Sequence, residues 1–411
     1  MLKPQSTKLN LLEMLLIFIL LYTIAPIVSR FISTYLTTYF YMLTVLLFFL
    51  LLLFYKGMKS FNDCIILLFP FICWKLMQFL IFSGDIILWG YGALLDLIPL
   101  MAGYYLLNYS EDNKNGFFVV LILVALAVTL LTTILGCIEH EGASRYLAGV
   151  KDTNEAKAVL YGWLNIGGYE FVYLAVLLHP LAIFAYKRGK IKQWVAILCS
   201  IAIIALSIYS EYTTALLLSI VNCLLYFFKK DLTSKQLIAL VVVAVLMFTI
   251  LSSVLSKFLA WLAEVIGSET MSLRLKTLAW GESGRGDNDT NRLELYQRSL
   301  MTFINNPIFG TFLNGGRGIG GHSFVLDMLG QFGLLGLLLL IFMYRTIYIK
   351  FFRCYKKFKG YGYVLWIFIS TVLLSILNTG IWLTVLALFA PIFIKQIYSK
   401  EIENNENSLD C

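Results

Sequence analysis

Long apolar runs separated by short polar punctuation dominate the pattern along the chain. A helix that crosses a membrane needs about 20 consecutive, mostly apolar residues. Twelve such runs can be marked: 9–28, 36–55, 61–82, 86–107, 117–138, 159–185, 193–209, 212–228, 236–254, 322–344, 361–377 and 381–397. The pairs 193–209/212–228 and 361–377/381–397 read as hairpins with very short turns. The pattern predicts an all-α, polytopic membrane bundle of about 12 transmembrane helices. The run 11–28 is too long for the apolar part of a secretory signal, and no small-x-small cleavage site follows it, so it reads as part of the first span. The organisation expected is helices 1–9 in residues 1–254, a long loop over 255–321, helices 10–12 in 322–397 and a polar tail over 398–411.

Composition agrees. The chain is 60% hydrophobic and 14% charged, where soluble domains carry about 25% charged residues. Its mean hydropathy is +0.82. That excludes a soluble enzyme, a disordered chain and a nucleic-acid-binding domain, so membrane lipid is an expected partner and nucleic acid is not. The net charge of +8 bears on orientation instead. With a cytoplasmic N-terminus, the segments on the inner side hold twenty Lys and Arg and the short outer segments hold four. This predicts both termini in the cytoplasm and the loop 255–321 outside. Loops longer than about 60 residues cross regardless of charge, so the basic content of this one does not count against the assignment.

That long loop is where chemistry is expected, since long loops are commonly functional. It carries Lys257, Arg274, Lys276, Arg285, Arg292, Arg298 and Arg317. A guanidinium presents fixed, paired donors suited to phosphate, although a single loop arginine is more often a solvated charge. Residues 292–304 fit an amphipathic helix, with Asn291 as cap and Glu294 completing a capping box. Leu293, Tyr296, Leu300, Phe303 and Ile304 fall in one apolar stripe, Arg292 borders it, and Arg298 points away. Six glycines follow between 310 and 321, a composition that lets backbone N–H groups face an anion. The match to G-x-G-x-x-G there has no preceding strand and is a false lead. His322 ends the loop and opens the next run. A neutral imidazole there can take a proton from a hydroxyl, and Asp327, five residues on, can orient it or bind sugar. The three histidines show no metal spacing. Lys75, Asp96, Glu170 and Glu211 lie within or at the ends of apolar runs, where charges by default face a cavity or a partner.

The stretch from Arg292 to about Leu340 resembles the O-antigen polymerase and O-antigen ligase family. The matching residues are Arg292-Leu293-Glu294-Leu295, Asn306-Pro307-Ile308-Phe309-Gly310, His322-Ser323 and Gly333-Leu334-Leu335-Gly336. The position of the long loop before the last three spans matches too. The resemblance implies a multispan glycosyltransferase of the bacterial cytoplasmic membrane. It would join polyprenyl-diphosphate-linked oligosaccharides into capsular, exo- or O-antigen polysaccharide on the outer face, with no cofactor or metal and alongside other assembly proteins. It implies that Arg292 and His322 are catalytic. Where the family often carries Ser-Arg, in the hairpin between spans seven and eight, this chain has Ser210-Glu211-Tyr212-Thr213. A phosphate-binding arginine is then missing, or supplied by Arg298, Arg285 or Arg317, with Glu211 a further substrate-binding candidate. Two other readings stay open: ligase-type transfer to another acceptor, and a flippase or other transporter of lipid-linked oligosaccharide. A transporter is expected to show paired halves and discontinuous helices, and the sequence shows no internal repeat.

Overall fold

The computed structural model describes residues 9–36, 38–82, 86–110, 112–148, 155–229, 231–246, 292–315, 317–378 and 382–403, with isolated positions between 257 and 276. Among the described residues the chain is helical and no strand occurs. Helix α1 (Leu11–Ile24) and helix α2 (Pro26–Phe31) meet at Ala25, which is extended. Proline lacks an N–H and pushes the residue before it out of the helical region. The expected first span is therefore broken, and the chain turns there by 105°.

Helix α3 (Thr38–Phe82) runs through both 36–55 and 61–82. The polar stretch that contains Lys56 and Lys59, expected as an inner loop, is part of this helix. Hydropathy registers its polarity, but only Gly57 in it weakens a helix appreciably, so backbone pairing continues. Two of the twenty inner cations are thus not in a loop. Helices α4 (Ile86–Asn108) and α5 (Asp112–Glu139) follow, then the short α6 (Ala143–Ala148) and α7 (Glu155–Trp163), and α8 (Tyr169–Lys187). The expected span 159–185 is split because Asn165 is left-handed, with φ of 56°. Helices α9 (Gln193–Tyr209) and α10 (Thr213–Cys223) form the expected tight hairpin, and α11 (Ser234–Leu246) follows. The rest of the expected span 236–254 lies outside the described residues. Beyond the long loop come α12 (Arg292–Asn305), α13 (Phe324–Ile347), α14 (Tyr361–Leu377) and α15 (Ala390–Glu403).

Three helical stretches among the described residues are long and apolar enough to cross a membrane: Lys114–Glu139, Tyr169–Lys187 and Phe324–Lys357. The bent α1–α2 pair makes a fourth if it counts as one span. The described residues thus support three to four candidate spans and do not confirm the expected twelve. Hydropathy counts apolar residues, whereas backbone breaks divide the runs and leave several helices of 10–17 residues.

Helix α8 lies at the centre, with nearly every residue from Phe171 to Leu181 buried. Pro180 cannot donate to the carbonyl of Val176. The side-chain amide of Asn222 on α10 donates to that carbonyl instead at 3.1 Å, while its oxygen accepts the indole N–H of Trp366 on α14 at 3.0 Å. One missing N–H is thereby converted into a tie among three helices.

Candidate functional site

Helix α13 is broken where the loop packs on it. Gly333 has φ of 60° and ψ of −140°, a combination open only to glycine without strain. In an unbroken helix the N–H of Leu334 would donate to the carbonyl of Gly330. Here it donates to the carbonyl of Pro307 at 2.8 Å, and the Gly330 carbonyl accepts from the N–H of Thr311 at 3.0 Å. The turn 306–311 thus satisfies both halves of the severed bond. A side chain at Gly333 would meet the carbonyls of Pro307 and Ile308, and one at Gly310 the backbone of Gly330 and Gln331. The bend is sharp. A Cβ on Gly336 would lie 2.4 Å from the Met328 carbonyl oxygen, although eight residues of straight helix span about 12 Å. The Asn-Pro-Ile-Phe-Gly segment and the Gly-Leu-Leu-Gly step therefore meet in space.

From there the glycine-rich loop runs back along α12. The hydroxyl of Thr302 donates to the Gly318 carbonyl at 2.7 Å. Gly320 packs so closely on Leu295 that an added Cβ would lie 2.2 Å from its carbonyl oxygen. Between these points stands Asp327, 8% exposed. Its Oδ1 accepts from Ser299 Oγ at 2.5 Å and from the N–H of Gly321 at 3.1 Å, and its Oδ2 accepts from the N–H of Ser323 at 3.1 Å. Ser299 in turn accepts from the N–H of Gly320 at 2.8 Å. The backbone donors of the glycine-rich loop do face an anion, but it is the protein's own carboxylate. Asp327 braces the loop. Among the described residues no hydrogen bond joins Asp327 to the His322 side chain.

His322 leaves this brace exposed, between left-handed Gly321 and Ser323, the cap of α13. Its neighbours Gly321 and Ser323 are both held by Asp327, which is itself bonded to Ser299 on α12, the helix whose first residue is Arg292. The side chain of Arg292 and all of Arg285 lie outside the described residues, as does Asn291. Arg298 and Arg317 are exposed, and both border the loop: Thr302, one turn after Arg298, holds Gly318, the neighbour of Arg317.

The face of α12 turned to the protein carries Leu295 and Ser299, which are buried, whereas Leu300, Met301 and Ile304 are exposed. The outward residues continue into Ile308, Phe309 and Leu313 as one apolar surface. Within the expected stripe Tyr296 and Phe303 are half-buried and Leu300 and Ile304 exposed, while polar atoms bind the loop on the inward face. Tyr296 ties α12 to the end of α14 through a hydrogen bond to the Leu377 carbonyl at 2.5 Å.

Glu211 is not beside this loop in any described contact. It is 1% exposed, in a left-handed turn with φ of 62°. The next residue, Tyr212, donates to the carbonyl of Ser144 on α6 at 3.2 Å, and Arg145 lies 6.0 Å from its ring. Arg145, not singled out from the sequence, is the cation that the fold brings to this hairpin, and no spacing signal marked it. A second polar knot lies nearby. Asn165 Nδ2 donates to Thr129 and Thr132 hydroxyls at 3.1 Å, and its Oδ1 accepts from the N–H of Ile27 at 3.1 Å. The N–H of Gly167 donates to Thr133 at 2.7 Å, and Ser144 Oγ to the Gly167 carbonyl at 2.7 Å.

A separate cavity of about 710 Å³ is lined by Tyr186, Lys187, Gly189, Lys229 and Asp231. It sits at the far end of α8 and is not part of the loop site. No protein-family model matches this chain, and no curated protein matches it.

Proposed function

We propose that the chain is a membrane glycosyltransferase that polymerises polyprenyl-diphosphate-linked oligosaccharide repeats outside the cytoplasmic membrane of a bacterium. The observation that supports it is the loop brace. Asp327 and Ser299 fix the glycine-rich segment against α12, the helix that Arg292 opens, and His322 is left exposed beside this brace. In the reaction, a hydroxyl oxygen of one repeat attacks the anomeric carbon of a second. The bond from that carbon to the diphosphate oxygen breaks, and the diphosphate leaves with the bonding pair. His322 takes the hydroxyl proton. Arg292, with Arg298 and Arg317 beside the loop, meets the charge growing on the leaving diphosphate. The outward apolar surface of α12 suits a position at the lipid headgroups, where such a diphosphate lies. The test is chain growth by purified protein in detergent supplied with preformed lipid-linked repeats. Growth that disappears in both Arg292→Ala and His322→Ala is expected. Normal growth in both variants dismisses the site.

The breaks at Ala25 and Gly333 favour a second reading, transport of the lipid-linked repeat, because discontinuous helices are a transporter feature. The same assay separates the two, since detergent leaves no compartment to transport across.

A further inference from the structure

Outside the loop site, three charges in the apolar helices stand together. Lys75 on α3 and Asp96 on α4 form an ion pair. The Asp96 side chain is nevertheless 47% exposed, against 11% for Lys75. A carboxylate that open, ten residues into an apolar helix, by default faces a water-filled crevice rather than lipid. Glu170, the second residue of α8, is exposed, and Asp96 is near enough to act on its charge. Asp96 thus joins the group, paired with Lys75 on one side and within electrostatic reach of Glu170 on the other.

The same place holds unused donors. The Lys75 ammonium sits 4.2 Å from the centroid of the Trp74 ring. Trp74 is 7% exposed, and its indole N–H has no partner among the described residues. The Trp74 ring meets the Phe324 ring edge-on at 5.4 Å. The N–H of Phe324 donates to the carbonyl of Asn378, whose side-chain amide nitrogen is also buried without a described partner. Phe324 follows His322 by two residues. A continuous path therefore leads from the base of the loop through Trp74 to Lys75, Asp96 and Glu170.

We propose that Lys75, Asp96 and Glu170, with Trp74 at their edge, form an oligosaccharide-binding subsite beneath the loop. Carboxylates accept hydrogen bonds from sugar hydroxyls, and ammonium and N–H groups donate to sugar oxygens. The net negative charge of the group turns a diphosphate away and leaves it to the arginines above. Lys75 already pairs with Asp96 as its cation. A neutral, hydroxyl-rich chain is the chemistry that remains. The identity of the sugar as part of a lipid-linked repeat rests on the glycosyltransferase reading, but binding is separable from it.

The test uses the full-length protein in detergent and oligosaccharide released by mild acid from the lipid-linked pool of the source cells, with affinity measured by calorimetry. Wild type is expected to bind, and Glu170→Gln to weaken binding about tenfold, the effect of losing one hydrogen bond to a charged group. Asp96→Asn is expected to act in the same direction, with gel filtration confirming its fold. Glu170→Gln disturbs no described ion pair and so reports even if Asp96→Asn fails to fold. Absence of binding by wild type, or equal affinity in wild type and Glu170→Gln, overturns the subsite. Chain growth is measured alongside. Binding without growth leaves the subsite standing and removes the glycosyltransferase reading. Growth with an unchanged acceptor KM in Glu170→Gln does the reverse.

Discussion

Two polar knots interrupt the apolar bundle, and they are built alike. In each, a side chain near a helix break ties separate elements together through hydrogen bonds. Asn165 does so with Thr129, Thr132 and the N–H of Ile27, beside Gly167. Asp327 does so with Ser299, Gly321 and Ser323. They differ in what they leave over. The Asn165 knot closes on itself, and the groups it ties are mostly buried. The Asp327 knot is closed just as tightly, yet it holds His322, Arg298 and Arg317 exposed around its rim. A buried polar network is therefore no sign of chemistry by itself. What distinguishes the second knot is the set of uncommitted groups that it displays.

The sharpest way to break this contrast is to remove a displayed group. His322→Ala is expected to lower chain growth by about 10²–10⁴-fold, the usual contribution of a positioned base, and Arg292→Ala by about 10²–10³-fold. Protein yield and unfolding midpoint should stay at wild-type values. A fall in midpoint with activity kept would make the rim structural. Next comes the knot itself. Asp327→Ala strands the N–H groups of Gly321 and Ser323, so a loss of about 1–3 kcal/mol in stability and a fall in chain growth should appear together in thermal unfolding and in the growth assay. Gly333→Ala forces a side chain against two carbonyls at positive φ. A destabilisation of about 1–3 kcal/mol is expected, with proteolysis between 306 and 333 rising first.

In the other knot, Thr133→Val leaves the Gly167 N–H unpaired. About 1–3 kcal/mol of stability should go, while turnover by the folded fraction stays at the wild-type value. Turnover that falls with it would erase the distinction drawn here. The smallest effect belongs to Thr302→Val, which removes an exposed hydrogen bond to Gly318 worth about 1 kcal/mol at most. Its signature should be a modest rise in KM rather than a change in fold.

The helices themselves were legible: 193–209 and 361–377 match Gln193–Tyr209 and Tyr361–Leu377, and 292–304 matches Arg292–Asn305 to one residue. Their ends obey local rules of periodicity and capping. What was not legible depends on the partner backbone. Nothing in the run 322–344 shows that Leu334 will take its acceptor from Pro307. Nothing in 292–304 shows that Ser299 and Leu295, rather than Leu300 and Ile304, will turn inward, because the glycine-rich loop that claims that face lies some twenty residues away. The run 36–82 was divided at Lys56 and Lys59 because hydropathy reports solvent preference, and a helix continues through polar residues as long as none of them breaks its hydrogen bonds.

The exchange of hydrogen bonds at Gly333 also constrains how the protein is made. Two peptide groups of α13 depend on residues synthesised about twenty positions earlier, and hydrocarbon offers them no substitute. This helix is therefore a poor candidate for solitary entry into the bilayer. It has to arrive together with the segment 306–311, so that turn and helix pack as one unit rather than one after the other.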